Sequence, residues 1–290
     1  MSKRQFFYAF MVPTFLILFA LAFYPLFTAI RISLQNWDLR NSRPISFVGL
    51  ANYIEMFKDY RFLNSLKISL FWLCLTLGGS IIVGMLLAPI VHDNAKGALK
   101  NLCLFLFIIP AILPRVGAAY MWRLMYSPSI GIINYLLHLV GIGTIRFLET
   151  PSIALISIAL IDIWQWGFLI TALGVIMLED VSPEIIEAAK LDGVNKVQLY
   201  RSIIFPIIFP ISLPILFIKT MESLRSFDFI FVLTSGGPGI VTETLDMYAY
   251  WQGIGSSGRI SYASSMSVSM VVISIVILTI IWNRLEKWHE

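Results

Sequence analysis

The chain has 290 residues, 58% of them hydrophobic and 13% charged, with mean hydropathy +0.82 and a formal net charge of +4. A water-soluble globule of this composition would expose far more apolar area than water tolerates, so that class is excluded and a polytopic membrane protein is indicated. Lys and Arg are scattered among the loops, not massed in one patch, which reads as a topology signal and argues against a nucleic-acid partner.

Charge-poor stretches of about 20 residues or more predict six helical spans. They cover residues 6–30, 68–91, 102–126, 153–178, 202–231 and 260–282. The first has a rival reading as a secretory signal, because Lys3-Arg4 leads an apolar run towards Ala20-Leu21-Ala22; the apolar character continues to Ile30, which favours an uncleaved helix. Residues 31–67 are polar, aromatic and glycine-bearing, and predict a folded extracytoplasmic loop with an interfacial helix. Cys74 and Cys103 fall inside apolar runs and read as small core residues. Arg115 interrupts the third span, while Lys219, Glu222, Arg225 and Asp228 crowd the end of the fifth. Gly236-Gly237-Pro238-Gly239 predicts a tight turn before the sixth. No internal duplication is visible, which speaks mildly against a self-sufficient secondary transporter built from inverted repeats.

Between the fourth and fifth spans, residues 179–201 are too polar for a bilayer yet patterned as a helical hairpin. Ser182 suits an N-cap, Pro183 a first turn, and Glu184 and Glu187 the positive end of the helix dipole, so 183–190 reads as a helix. Asp192-Gly193 ends it, with glycine supplying left-handed backbone, and 195–201 winds a further turn or two. Ala188 and Ala189 leave a small-residue face that another backbone can approach closely.

With the N-terminus in the cytoplasm, six crossings return the C-terminus there and place residues 92–101 and 179–201 on the same side. The density of Lys3, Arg4, Lys96, Lys100, Lys190, Lys196, Arg201, Arg284 and Lys287 on that side favours this orientation, although raw counts do not.

Chemistry that would make the chain self-powered is missing from the sequence. There is no Gly-Lys dipeptide and hence no P-loop; there is no HExxH and no Gly-x-Ser-x-Gly elbow, and His92, His138 and His289 lie far apart. ATP, if used, is hydrolysed by another polypeptide.

Polar groups within the spans are costly and so face a cavity, a partner or the interface. Asp162, Gln165 and Trp166 share one helical turn, where the polar pair could take hydroxyls and the indole could stack on a sugar ring. Helix packing is the alternative for Trp164 and Trp166, and an intrahelical ion pair the alternative for Lys219 and Glu222. Arg115 and Arg225 could bind an anionic solute group or pair with acids on neighbouring helices.

Glu187-Ala188-Ala189, Asp192-Gly193 and Pro206 resemble the EAA loop of permeases in binding-protein-dependent ABC importers. Phe47-Val48-Gly49-Leu50-Ala51-Asn52-Tyr53, Asp162-Ile163-Trp164, Phe227-Asp228 and Val232-Leu233-Thr234-Ser235-Gly236-Gly237-Pro238 resemble the carbohydrate-importing branch. The first of these and the GGPG turn are similar to the first permease of a heterodimeric pair of the maltose and glycerol-phosphate type. The resemblance implies an all-α polytopic membrane protein with the six-helix type I ABC importer permease (MetI-like) fold, a single transmembrane domain in the bacterial inner membrane with both termini cytoplasmic. It implies a non-catalytic subunit that binds no cofactor and imports a sugar or sugar-like solute. Its implied partners are a second permease, two ATPase subunits carrying ATP and Mg, and an extracytoplasmic solute-binding protein. Coupling to the ATPase would fall to Glu184, Glu187, Ala188, Ala189, Asp192 and Gly193, with Glu187 as the main polar contact, Gly193 as the bend and the alanines allowing close seating. On the solute path the resemblance adds Ala111, Arg115, Glu222, Ser223 and Ser226 to Asp162, Gln165 and Trp166. An ion-coupled secondary transporter, which would work alone, and a membrane scaffold, whose intramembrane polar groups would all pair with one another or face headgroups, stand as alternatives.

Overall fold

The computed structural model describes residues 3–41 and 44–286; Lys287 and His289 lie outside the described residues. In chain order the elements are α1 (Lys3–Ser33), β1 (Gln35–Asn36), β2 (Ser46–Phe47), α2 (Ala51–Lys58), α3 (Tyr60–Asn94), α4 (Gly97–Ile112), α5 (Arg115–Met125), α6 (Ile132–Leu139) and α7 (Pro151–Glu179). There follow α8 (Pro183–Leu191), α9 (Lys196–Gln198), a π-turn over Leu199–Ile204, α10 (Phe205–Leu224), α11 (Phe227–Leu233), α12 (Leu245–Tyr250), a second π-turn over Trp251–Gly255, and α13 (Ile260–Glu286). Among the described residues five helical stretches are long and apolar enough to cross a membrane, and six if α4 and α5 count as one broken span.

The break between α4 and α5 has a local cause. Pro114 pushes Leu113 out of the helical region, to φ −64° and ψ 129°, so α4 stops at Ile112 and α5 leaves at 98°. The predicted 102–126 span is therefore two helices. The predicted 202–231 span is also interrupted. Pro206 has no backbone N–H, and the turn before it is widened: Phe205 N–H donates to Tyr200 O, five residues back. At the other end, Arg225 leaves the helical region and α11 restarts at Phe227.

The chain divides into two compact units, residues 1–64 with 245–273, and residues 65–244 with 274–290. In the first, β1 and β2 pair antiparallel with Gln35 opposite Phe47, and Asn52 Nδ2 donates to Ser33 O and Gln35 O at 2.7 and 2.8 Å. Within the predicted 31–67 loop, α2 buries Met56 and exposes Ile54 and Phe57. Asp59, between α2 and α3, accepts from Arg61 N at 2.8 Å, Tyr248 Oη at 2.5 Å and Tyr262 Oη at 2.7 Å. Burial alone would raise its pKa, but these hydrogen bonds outweigh that and hold the carboxyl below its ordinary range.

In the second unit α7 is the central helix, with more than half of its apolar window buried. It meets α3 on glycines. A Cβ built on Gly84 would stand 2.4 Å from Ile170 Cγ2, one on Gly167 2.9 Å from Val83 Cγ1, and one on Gly174 2.9 Å from Ala88 Cβ. Small residues on both faces thus permit the backbone approach that compensates, inside lipid, for the missing hydrophobic drive between helices. One apolar core gathers Val91, Val175, Leu178, Ala189, Leu199 and Ile208, and another gathers Trp72, Ala119, Ile158, Ile161 and Phe229. The cysteine reading is corrected for Cys74, which is exposed, while Cys103 is half-buried and packs against the first core. Trp164 packs edge-on against Trp122 at 5.3 Å between ring centroids, the packing alternative for this indole.

Gly84→Ala forces a methyl into Ile170 and is expected to lower the thermal midpoint of the detergent-solubilised protein. The control Gly78→Ala meets no atom within 4 Å and gains about 1 kcal/mol of helix propensity, so it is expected to leave the midpoint unchanged or raise it.

Candidate functional site

The hairpin over residues 179–201 is built from short-range rules. Ser182 has extended N-cap backbone and Pro183 opens α8. The Ser182 hydroxyl does not cap a backbone N–H as the sequence suggests; it donates to Glu184 Oε2 at 2.5 Å, which holds the Glu184 carboxyl below its ordinary range. At the far end Gly193 adopts φ +77°, with Gly193 N–H donating to Lys190 O and Val194 N–H to Ala189 O, both at 3.1 Å. This left-handed closure satisfies carbonyls that a helix end otherwise leaves open. The next helix starts on a reciprocal box that sequence reading missed: Gln198 N–H donates to Asn195 Oδ1 at 2.9 Å, and Asn195 N–H to Gln198 Oε1 at 3.0 Å. The Asn-x-x-Gln spacing was its signal.

Glu184, Glu187, Ala188, Asp192 and Gly193 are all exposed. Beside them Leu191 is 89% and Val197 73% exposed. Ala189 is a correction. It is buried in the first core beside Val91, Leu178 and Val181, so its small side chain seats the hairpin on the chain's own helices and does not face a partner.

The second constellation lies among α5, α7 and α10. Asp162 is fully buried; Oδ1 pairs with the Lys219 ammonium and Oδ2 with Arg115 Nη2 at 3.2 Å. Arg115 Nη1 reaches Glu222 Oε2 at 2.9 Å and Glu222 O at 3.3 Å. Lys219 and Glu222 therefore do not pair along their own helix; each crosses to another. Arg115 is not a free guanidinium, because its charge is met by acids on α7 and α10, while Arg225 is exposed at the α10–α11 break. Trp166 lies over the Lys219 ammonium at 5.3 Å, and Phe229 lies under Arg115 at 5.1 Å.

Gln165 also takes a different role from the hydroxyl-binding one expected. Its Nε2 donates to Pro110 O at 2.9 Å and Leu113 O at 3.3 Å. In an unbroken helix Pro110 O would accept from residue 114, which is a proline without an N–H, so Gln165 replaces the lost donor. Ser223 bonds Thr76 Oγ1 at 3.0 Å, and Ser226 donates to Thr244 Oγ1 at 3.3 Å; all four are buried, whereas Ala111 is exposed. Thr76 was not foreseen. It lies one helical turn from Trp72 and one from Ser80, and Trp72 Nε1, Ser80 Oγ and Arg115 Nε are buried without a hydrogen-bond partner among the described residues. The mutual pairing of charges is what a scaffold would show; the orphan polar atoms beside it are not.

A family model described as binding-protein-dependent transport system inner membrane component matches residues 80–290, which hold both constellations. The chain is 29% identical over 242 residues to the trehalose/maltose transport system permease protein MalF of Thermococcus litoralis, covering 83% of this chain and 81% of that one. It is 26% identical over 280 residues to the sulfoquinovosyl glycerol transport system permease protein SmoG of Agrobacterium fabrum, covering 97% and 90%. Among solved structures, a chain of a bacterial ABC transporter involved in the import of the acidic polysaccharide alginate has the same fold, with a TM-score of 0.84 at 20% identity over 99% of this chain and 96% of that one.

Asp162→Ala leaves Lys219 and Arg115 without their shared carboxylate and is expected to cost about 3–5 kcal/mol, read as a large fall in the thermal midpoint in detergent. Combining Asp162→Asn with Lys219→Met removes the pair together and is expected to cost less than the single change.

Proposed function

We propose that this chain, which belongs to the family of inner-membrane components of binding-protein-dependent transport systems, is the permease subunit of an ATP-driven importer for a carbohydrate-like solute. It forms half of the translocation path beside a second, non-identical permease. ATP is hydrolysed by separate ATPase subunits, and the chain itself is a transport subunit, not an enzyme.

The observation that carries this reading is the hairpin. It is a capped, rigid element that presents Glu184, Glu187, Asp192, Leu191 and Val197 outward, while Ala189 locks it to the core shared with α3, α7 and α10. Such an element transmits a push as a rigid body, because its buried side is packed and its exposed side is free to engage. In this reading it lies in the cytoplasm against an ATPase subunit, and both termini share that side because the broken α4–α5 pair counts as one crossing. Glu187 makes the principal polar contact and Gly193 sets the angle between α8 and α9.

A carbohydrate-like solute is supported by the names of the relatives, which concern trehalose and maltose, sulfoquinovosyl glycerol and alginate. Three buried atoms, Trp72 Nε1, Ser80 Oγ and Arg115 Nε, have no hydrogen-bond partner among the described residues, which suits a hydroxyl-rich ligand. The solute reaches them from an extracytoplasmic binding protein.

Glu187→Lys reverses the outward charge, and Gly193→Asp strains a left-handed backbone with open space around it. In membrane vesicles containing the assembled transporter, each is expected to reduce ATP-driven solute uptake about tenfold or more with normal amounts of the chain in the membrane. Wild-type uptake by both variants would remove the hairpin's role.

A further inference from the structure

The junction between hairpin and membrane carries a second device. The π-turn over Leu199–Ile204 is a widened, irregular stretch placed where the hairpin becomes α10, and such bulges are points at which a helix changes direction cheaply. Tyr200 lies inside it. Its hydroxyl, on a residue only 9% exposed, donates to Asp93 Oδ1 at 2.7 Å, and Asp93 stands at the C-terminal end of α3, 107 residues earlier in the chain. The other carboxylate oxygen, Oδ2, meets the Lys196 ammonium of α9 at 2.8 Å as a charge pair, and His92 Nδ1 is 3.2 Å from Oδ1. One carboxylate thus holds both the helix before the π-turn and the π-turn itself. Alongside it opens a cavity of about 470 Å³, lined by His92, Asp93, Ile186, Lys190, Lys196 and Tyr200.

We infer that Asp93 is a positioning residue for coupling: it clamps the π-turn to α3 through Tyr200 and Lys196, so that a push on the hairpin is passed to α3 as well as α10 and is not absorbed by bending at the junction. This rests on the reading of the hairpin as the ATPase contact. Without the clamp the hairpin still docks, but the π-turn flexes and the push is lost.

The test uses the assembled transporter, purified with its ATPase subunits and reconstituted in liposomes, with ATP hydrolysis measured before and after addition of the purified binding protein. Asp93→Asn is expected to keep the ATPase subunits at wild-type stoichiometry yet reduce the stimulation by binding protein about fivefold or more. Tyr200→Phe reduces it less, and Asp93→Lys combined with Lys196→Asp recovers most of it; wild-type ATPase stoichiometry in Asp93→Asn is the readout that a residue needed only for folding would not leave intact. Full stimulation in Asp93→Asn, loss of bound ATPase in that variant, or failure of the charge exchange to recover any stimulation overturns the clamp. A wild-type complex that binding protein does not stimulate at all overturns the permease reading, and the clamp with it.

Discussion

Inside a bilayer no water is present to accept a stray charge or an open carbonyl, and this constraint shapes the second unit more than any other. Proline at 114 breaks a span and strips a donor from Pro110 O; Gln165 on α7 supplies one in its place. The break also brings Arg115 to the start of α5, where Asp162 and Glu222 receive its guanidinium. Each departure from regular helix is therefore answered from a neighbouring helix, and those answers tie α5, α7 and α10 into one body. The glycine contacts between α3 and α7 do the same by shape alone.

The hairpin obeys the opposite solvent. Its backbone is closed by local devices, the left-handed Gly193 and the Asn195–Gln198 box, so it needs no partner to be a helix pair. What it leaves open is side-chain surface, with acids and three large apolar residues, Ile185, Leu191 and Val197, outward. The element is complete in its backbone and open in its surface, and the family to which the chain belongs works with separate subunits.

Much of this could be read directly from residues. Charge-poor stretches pointed to the long apolar helices because hydropathy is a property of composition over some 20 residues, and Pro183 with Asp192-Gly193 bounded α8 because a first-turn proline and a glycine stop act over one turn. What escaped were features that depend on a second helix. Hydropathy runs smoothly through Leu113-Pro114, so the 98° break was hidden even though its cause was in plain view. Lys219 and Glu222 are three apart and invite a local pair, but their partners lie on α7 and α5, tens of residues away. Whether Ala188 or Ala189 faces inward could not be settled from two adjacent alanines, since either fits the same small-residue face. Asp93 was invisible for a similar reason: nothing local to α3 indicates that Tyr200 and Lys196 come to meet it.

The balance of formal charge in the buried cluster bears on membrane voltage. Two bases, Arg115 and Lys219, stand against two acids, Asp162 and Glu222, so the group carries none overall. A single unbalanced charge crossing the full potential would do electrical work of about 2.3 kcal/mol per 100 mV, whereas this set can shift together at no such expense. The cluster that binds α5, α7 and α10 together therefore adds no net charge movement of its own when those helices shift as a body.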